Sequence, residues 1–136
     1  MTNLGAFVGI PYLAGGRDRE GLDCYGLVRL ALLELFYVEL PAMITGPVSP
    51  RCLWRALTTG TNELTSQGQL VPVSAERLPR GPLIAVSWHN GIAVHCGLRL
   101  GMNLLHTHEQ AGASVIERVS HFRARSGPLE CYQWQP

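Results

Sequence analysis

The stretch that decides the fold is residues 21–28, which read GLDCYGLV. The side chain of Asp23 can accept hydrogen bonds from the free N–H groups of a first helical turn, so it predicts a helix start. The chain from Cys24 to Tyr37 is then apolar on almost every side, and Pro41 ends the pattern. A helix that is apolar all round is covered on most of its surface, so we expect it to be central in the fold.

Loops and short strands follow on either side of this helix. Residues 10–21 and 72–82 are rich in glycine, proline or charge, which is typical of surface loops. Residues 47–50 predict a turn, and residues 51–67 predict a polar, weakly helical segment. We expect strands at residues 83–87, 91–98, 102–107, 114–117 and 129–134, with a short helix at 119–124. Helices followed by antiparallel strands indicate an α+β fold.

Length, composition and charge limit the possible functions. The 136 residues fit one domain, residues 1–136. The formal net charge of +1 disfavours nucleic-acid binding. The longest apolar stretch, residues 27–40, contains Arg29, Glu34 and Glu39, so we expect no membrane insertion. Residues 1–10 lack a basic segment of the secretory type, so we expect no standard secretion signal.

The cysteines and histidines are spaced poorly for binding a metal. The four cysteines, at positions 24, 52, 96 and 131, form no CxxC pair. Among the five histidines only His106 and His108 are close, as an HxH pair, which is a weak zinc signal. We therefore expect no metal and no cofactor, and four free thiols.

Cys24 is a candidate nucleophile because it lies in the first turn of the expected helix. Unpaired N–H groups and the helix dipole favour negative charge there, which lowers the pKa of a thiol. The same N–H groups can stabilise a developing oxyanion. The alternative is a structural cysteine buried in an apolar helix.

His95 is a candidate general base for this thiol. In residues 91–98 the even positions are apolar, so His95 should point to the opposite face, between Ala93 and Gly97. The alternative is an exposed strand histidine. His106 or His108, on the next strand, could accept the second ring N–H of the base and fix its tautomer. Both have the same strand parity, and position favours His106.

Two segments together resemble the signature of the NlpC-type cysteine peptidases. Residues 9–16 read GIPYLAGG and precede residues 21–28, which is similar to PY-x-x-GG followed by G-x-DC-[S/Y/W]-G-L-V. Residues 91–100 resemble the strand that carries the catalytic histidine, and residues 103–107, NLLHT, resemble the strand with the third catalytic residue. Departures are Pro82 where aspartate is usual, and Cys96 where an aliphatic residue is usual.

The resemblance implies a papain-like α+β fold in which a helix with the cysteine packs on a small antiparallel sheet with the histidines. It implies hydrolysis of amide bonds in peptidoglycan stem peptides by Cys24 as nucleophile, His95 as base and His106 as orienting residue. It also implies that Tyr12 helps to form an oxyanion pocket. A further residue pair, Asp23 and Tyr25, is implied to lie at the substrate cleft.

Residues 15–32, which read GGRDREGLDCYGLVRLAL, are most similar to the phage-tail and gene-transfer-agent branch of that family. That similarity implies a protein of the virion tail, made in the host cytoplasm without a signal peptide. Its partners would be other tail-tip or hub proteins, and it would open the cell wall during DNA delivery. The alternatives are a catalytically silent assembly module of the tail tip and a secreted antibacterial effector amidase.

Overall fold

A computed structural model describes residues 3–43, 49–74, 76 and 78–136. The turn expected at residues 47–50 falls partly outside these residues; Ser49 and Pro50, which are described, begin a helix. After a short 3-10 helix (Leu4–Phe7), the elements in chain order are β1 (Arg17–Asp18), β2 (Gly21–Leu22), α1 (Cys24–Phe36), α2 (Pro50–Ser66), β3 (Leu70–Pro72), β4 (Pro82–His89), β5 (Ile92–Leu100), β6 (Asn103–His106), β7 (Val115–Arg118), α3 (Val119–Ser126) and β8 (Glu130–Trp134).

Helix α1 begins where the sequence predicts. The carboxylate of Asp23 accepts a hydrogen bond of 2.7 Å from the backbone N–H of Gly26, which satisfies one of the free donors of the first turn. The helix ends one residue before the predicted end, because Tyr37 adopts a left-handed conformation with φ of 57°. Leu27, Val28 and Ala31 are completely buried, so α1 is the central helix that its composition predicts.

Six strands form an antiparallel sheet in the order β3-β8-β4-β5-β6-β7. Both α1 and α2 pack on β5, while α3 lies beside β7. The α+β prediction is therefore confirmed. Two features are not among the predicted strands: the β1–β2 hairpin, which lies mostly in the loop predicted at residues 10–21, and strand β3, which ends at the first residue of the loop predicted at residues 72–82. None of the helices in the described part has the length and apolarity needed to cross a membrane.

Strand β5 does not alternate as cleanly as its sequence predicts. The pairing with β4 shifts between Ser87 and Trp88, which oppose His95 and Ala93, so Val94 is a bulged residue. Ala93, not Val94, joins Cys96 and Leu98 in the core beneath α1, and Ile92 is 47% exposed. The prediction of one apolar face through residues 92–98 is therefore wrong before the bulge and right after it.

The sheet buries apolar side chains on both faces. One cluster joins α1 to the sheet through residues such as Leu27, Val28 and Leu98. A second, smaller cluster contains Leu104, Val119 and Phe122, and it places α3 against the other face. His95 and His106 both contact Phe122, because after the bulge His95 alternates with Cys96 and so faces this second cluster.

Candidate active site

The N-terminus of α1 is fixed by a buried carboxylate. Asp23 is 1% exposed and accepts hydrogen bonds from the N–H of Gly15 (3.0 Å) and from Nη1 of Arg17 (2.8 Å), as well as from Gly26. Gly26 must be glycine here, since a Cβ would lie 2.2 Å from the carbonyl oxygen of Gly16. These contacts join the preceding loop to the first turn and so hold Cys24 at one position.

The residues implied for the cleft do not all lie in it. Tyr12 and Cys24 line the cleft. Asp23 is buried in the contacts just described, and Tyr25 is 5% exposed with its hydroxyl donating to the carbonyl of Pro41. The structure corrects the expectation for these two residues: Asp23 caps the helix and clamps a loop, and Tyr25 anchors the segment after α1.

The surroundings of the Cys24 thiol favour its ionised form. Its pKa is lowered well below the usual range, first because the thiol of Cys96 hydrogen-bonds to it and then because the ring of His95 does. Burial acts in the opposite direction and is outweighed. The pKa of Cys96 is raised well above its usual range by the same hydrogen bond, so Cys96 keeps its proton and acts as the donor.

A chain of hydrogen bonds runs away from His95. Its Nε2 lies 2.9 Å from Nδ1 of His106, and Nε2 of His106 lies 2.7 Å from Oε1 of Glu117. Arg125 donates to both oxygens of Glu117, at 3.0 Å and 2.6 Å. The four side chains come from β5, β6, β7 and α3, so three neighbouring strands and one helix contribute to one network.

The pKa values of these groups indicate which atoms of the network carry a proton. Arg125 and His106 lower the pKa of Glu117 to about 2, so it is an ionised acceptor at neutral pH. Burial lowers the pKa of His106 to about 4, so His106 is neutral and its proton lies on Nε2, facing Glu117. Nδ1 of His106 is then an acceptor, and Nε2–H of His95 donates to it. Nδ1 of His95 is left for the Cys24 thiol.

His106 makes the bond to His95, and His108 does not. The ring of His108 lies on the cleft wall, with its centroid 6.0 Å from that of His95, and its Nδ1 accepts from the N–H of Ala111. Gly97 permits the close approach of β6, because a Cβ there would lie 3.1 Å from Cβ of His106. The geometry therefore separates two histidines that parity alone left equivalent.

Phe122 holds the two rings in place. Its ring stacks on His95 at a centroid distance of 5.7 Å and meets His106 edge-on at 5.4 Å. Glu117, Arg125 and Phe122 are absent from the sequence-based site. The signal that could have found Glu117 is its position on the strand paired with that of His106, diagonally opposite and on the same face.

The thiol opens into a cleft of about 630 Å³. One wall is apolar and comes from α2, with Leu53, Trp54 and Leu57; the other carries His108 and Glu109. The pKa of Tyr12 is raised by burial and by the neighbouring Cys24, so its hydroxyl remains a donor at neutral pH. Among the described residues, no cluster of three His, Cys, Asp or Glu side chains could hold a metal ion.

This site, a helix-terminal thiol beside an imidazole chain at a sheet edge, has the arrangement of a thiol hydrolase. The chain belongs to the NlpC/P60 family, which it matches over residues 9–125. It is similar in fold to the NlpC/p60 domain of the peptidoglycan hydrolase SagA (TM-score 0.61, 18% identity, 95% of this chain and 91% of that one). It is also similar to the P60 domain from Mycobacterium avium subspecies paratuberculosis antigen MAP1204 (TM-score 0.54, 20% identity, 84% and 78%). A search of curated proteins finds no match.

Proposed function

We propose that this protein is a cysteine peptidase that cleaves amide bonds in the stem peptides of peptidoglycan. The observation that carries the proposal is the hydrogen-bonded series from His95 through His106 to the ionised Glu117, with the Cys24 thiol lining the same cleft as His95. The family match and the likeness to a peptidoglycan hydrolase domain support the choice of substrate.

The proposed reaction begins with the Cys24 thiolate, whose proton is taken up by Nδ1 of His95. Sulfur attacks the amide carbonyl, and the Tyr12 hydroxyl and the N–H groups at the start of α1 stabilise the oxyanion. His95 then protonates the leaving amine as the C–N bond breaks, which gives a thioester. A water molecule, deprotonated by His95, hydrolyses the thioester and releases the acid product and the free thiol.

His106 and Glu117 support this proton transfer without taking part in it covalently. The hydrogen bond from Nε2–H of His95 to His106 fixes the His95 tautomer, and Glu117 fixes that of His106. When His95 becomes an imidazolium, its charge is stabilised through the neutral His106 by the carboxylate behind it. In this proposal His106 is the orienting residue, which is the role that the family resemblance implies.

The test is a comparison of two cysteine-to-alanine variants on purified peptidoglycan. Cys24→Ala should release no stem-peptide fragments while keeping the melting temperature within a few degrees of the parent. Cys52→Ala is the matched control, because Cys52 is an exposed free thiol on α2, and it should retain full activity. Fragment release by Cys24→Ala at the parent rate would exclude the proposal.

We further propose that the protein works at the tip of a phage tail or a tail-derived particle. The support is the similarity of residues 15–32 to that branch of the family. Since Cys24 is half-buried on the cleft wall rather than sealed, an enzyme is favoured over a silent assembly module. Purified particles should contain the chain by mass spectrometry. Its absence from particles, together with the presence of an inhibitory partner, would favour an effector amidase.

A further inference from the structure

A second cavity has an apolar lining that comes mainly from the smaller apolar cluster and from residues packed against it, and Trp88 reaches it from the larger cluster. Its volume is about 280 Å³, and it shares no lining residue with the catalytic cleft. The walls are mostly apolar and include Val73, Leu78, Trp88 and Leu129. Two arginines, Arg99 and Arg123, also line it. An apolar cavity with a few convergent charged groups is the usual form of a small-molecule site.

Among the described residues, the guanidinium of Arg99 has no anionic partner. Arg99 is 3% exposed, and its Nε donates to the carbonyl of Gly101 at 2.9 Å. Its Nη1 and Nη2 donate to the sulfur atoms of Cys131 and Met102, each at 3.7 Å, and sulfur is a weak acceptor. In the described part of the chain no carboxylate forms an ion pair with it. A desolvated cation without a counter-ion is unfavourable, so an anion in the adjacent cavity would stabilise it.

The other charged side chains around the cavity do not supply a counter-ion for Arg99. Arg123, on α3, adds a second positive charge at the exposed rim. Glu130 is the acidic side chain of the lining, but it is exposed, and among the described residues it forms no ion pair with Arg99. The lining therefore carries one net positive charge, and the buried part of that charge faces the cavity.

We propose that this cavity binds a small ligand through a single carboxylate group, with Arg99 as the anion-binding residue and the apolar walls holding a hydrocarbon substituent. The planar guanidinium presents paired N–H donors that match the two oxygens of a carboxylate. The volume admits a group of about the size of one amino acid and is too small for a sugar chain or a folded partner. The site is independent of the proposed peptidase activity.

The indole N–H groups of two tryptophans can report on the two cavities separately. Trp88 lines this cavity and donates to the hydroxyl of Tyr132 at 3.1 Å, whereas Trp54 lines the catalytic cleft. In ¹⁵N-labelled protein, N-acetyl-leucine should shift the Trp88 indole signal in a saturable manner and leave that of Trp54 unchanged. N-acetyl-leucinamide, which lacks the charge, should not shift it. An unmoved Trp88 signal, or an equal response to the amide, would overturn the proposal.

Variants then test the role of Arg99. Arg99→Met should raise the dissociation constant about tenfold or more, because it removes a charged donor pair. Arg55→Met, at an exposed position on α2, is the matched control and should bind as the parent does. Val73→Trp should block the cavity while leaving Arg99 intact, and it decides the matter if Arg99→Met fails to fold. Undiminished binding by either cavity variant would refute the site.

The source of the carboxylate can be distinguished with one more probe. An N-acetylated tetrapeptide that ends in leucine presents the same carboxylate on a longer chain. Binding equal to that of N-acetyl-leucine would support the site and assign it to the end of a peptide. Failure of the tetrapeptide alone would support the site and assign it to a free small carboxylate.

Discussion

Replacement of Glu117 by glutamine removes the charge at the end of the histidine chain while keeping its shape. The pKa of Glu117 falls from the ordinary 4.5 to about 2, which corresponds to about 3 kcal/mol of favourable interaction with its partners. Arg125 is the first cause of that shift and is about half exposed, so its share is reduced by solvent screening. We assign about 1.5–2 kcal/mol to the bond with His106, as for a hydrogen bond to a charged group.

In the proposed transition state His95 is positively charged, and the hydrogen bond between Glu117 and His106 stabilises that charge by this amount. Glu117→Gln should therefore lower kcat for peptidoglycan hydrolysis by about 10- to 30-fold, with little change in KM. Glutamine can also present its NH₂ group to His106, which would favour the wrong tautomer and add to the loss. The assay is the initial rate of fragment release over a series of peptidoglycan concentrations.

Two controls separate this effect from a general loss of structure. Glu63→Gln changes an exposed carboxylate on α2 and should keep the parent rate. Arg125→Met removes the ion pair but leaves the carboxylate on His106, so its loss of rate should be smaller than that of Glu117→Gln. Retention of the parent kcat by Glu117→Gln, or a greater loss of rate in Arg125→Met, would refute this role of Glu117.

Three further predictions concern stability and thiol reactivity. The pKa of His106 is about 4 in the folded protein and 6.5 when exposed, so between these values the unfolded state binds a proton that the folded state does not. About 3 kcal/mol of stability should therefore be lost as pH falls from 6.5 to 4. In urea unfolding, a His106→Gln variant should lack most of this loss. Gly97→Ala should cost about 1–3 kcal/mol and reduce activity, since its Cβ would lie 2.8 Å from Leu104 and 3.1 Å from His106; an unchanged melting temperature would contradict the close approach. Cys96→Ala removes the first donor to the Cys24 thiolate, so the pH midpoint of iodoacetamide labelling at Cys24 should rise, and an unchanged midpoint would show that His95 suffices.

The parts of the structure that follow from local chemistry are the parts that the sequence predicts. Asp23 signals the start of α1, and the apolar run behind it signals a buried helix. The main strands follow from short apolar runs, each within about two residues of its observed bounds. Cys24 at the helix start and His95 on a strand are likewise readable, because both positions depend on an element and its direction.

The parts that depend on how elements meet are not readable in this way. The bulge at Val94 has no sequence signal, yet it changes which residues of β5 face the core. Glu117 and Phe122 reach the histidines only because β7 pairs with β6 and α3 folds back on the sheet. Arg99 reads from the sequence as an ordinary strand residue, and its burial without a carboxylate partner emerges only from the packing around it.

The central claim is that Cys24 is the nucleophile, and the most direct measurement is a search for the thioester. Wild-type protein that is quenched in acid during turnover of peptidoglycan fragments should be digested and analysed by mass spectrometry. We predict that the peptide containing Cys24 carries the mass of an acyl group, and that peptides containing Cys52, Cys96 and Cys131 do not. An acyl group on another cysteine, or turnover by a Cys24→Ala variant under the same conditions, would contradict the account.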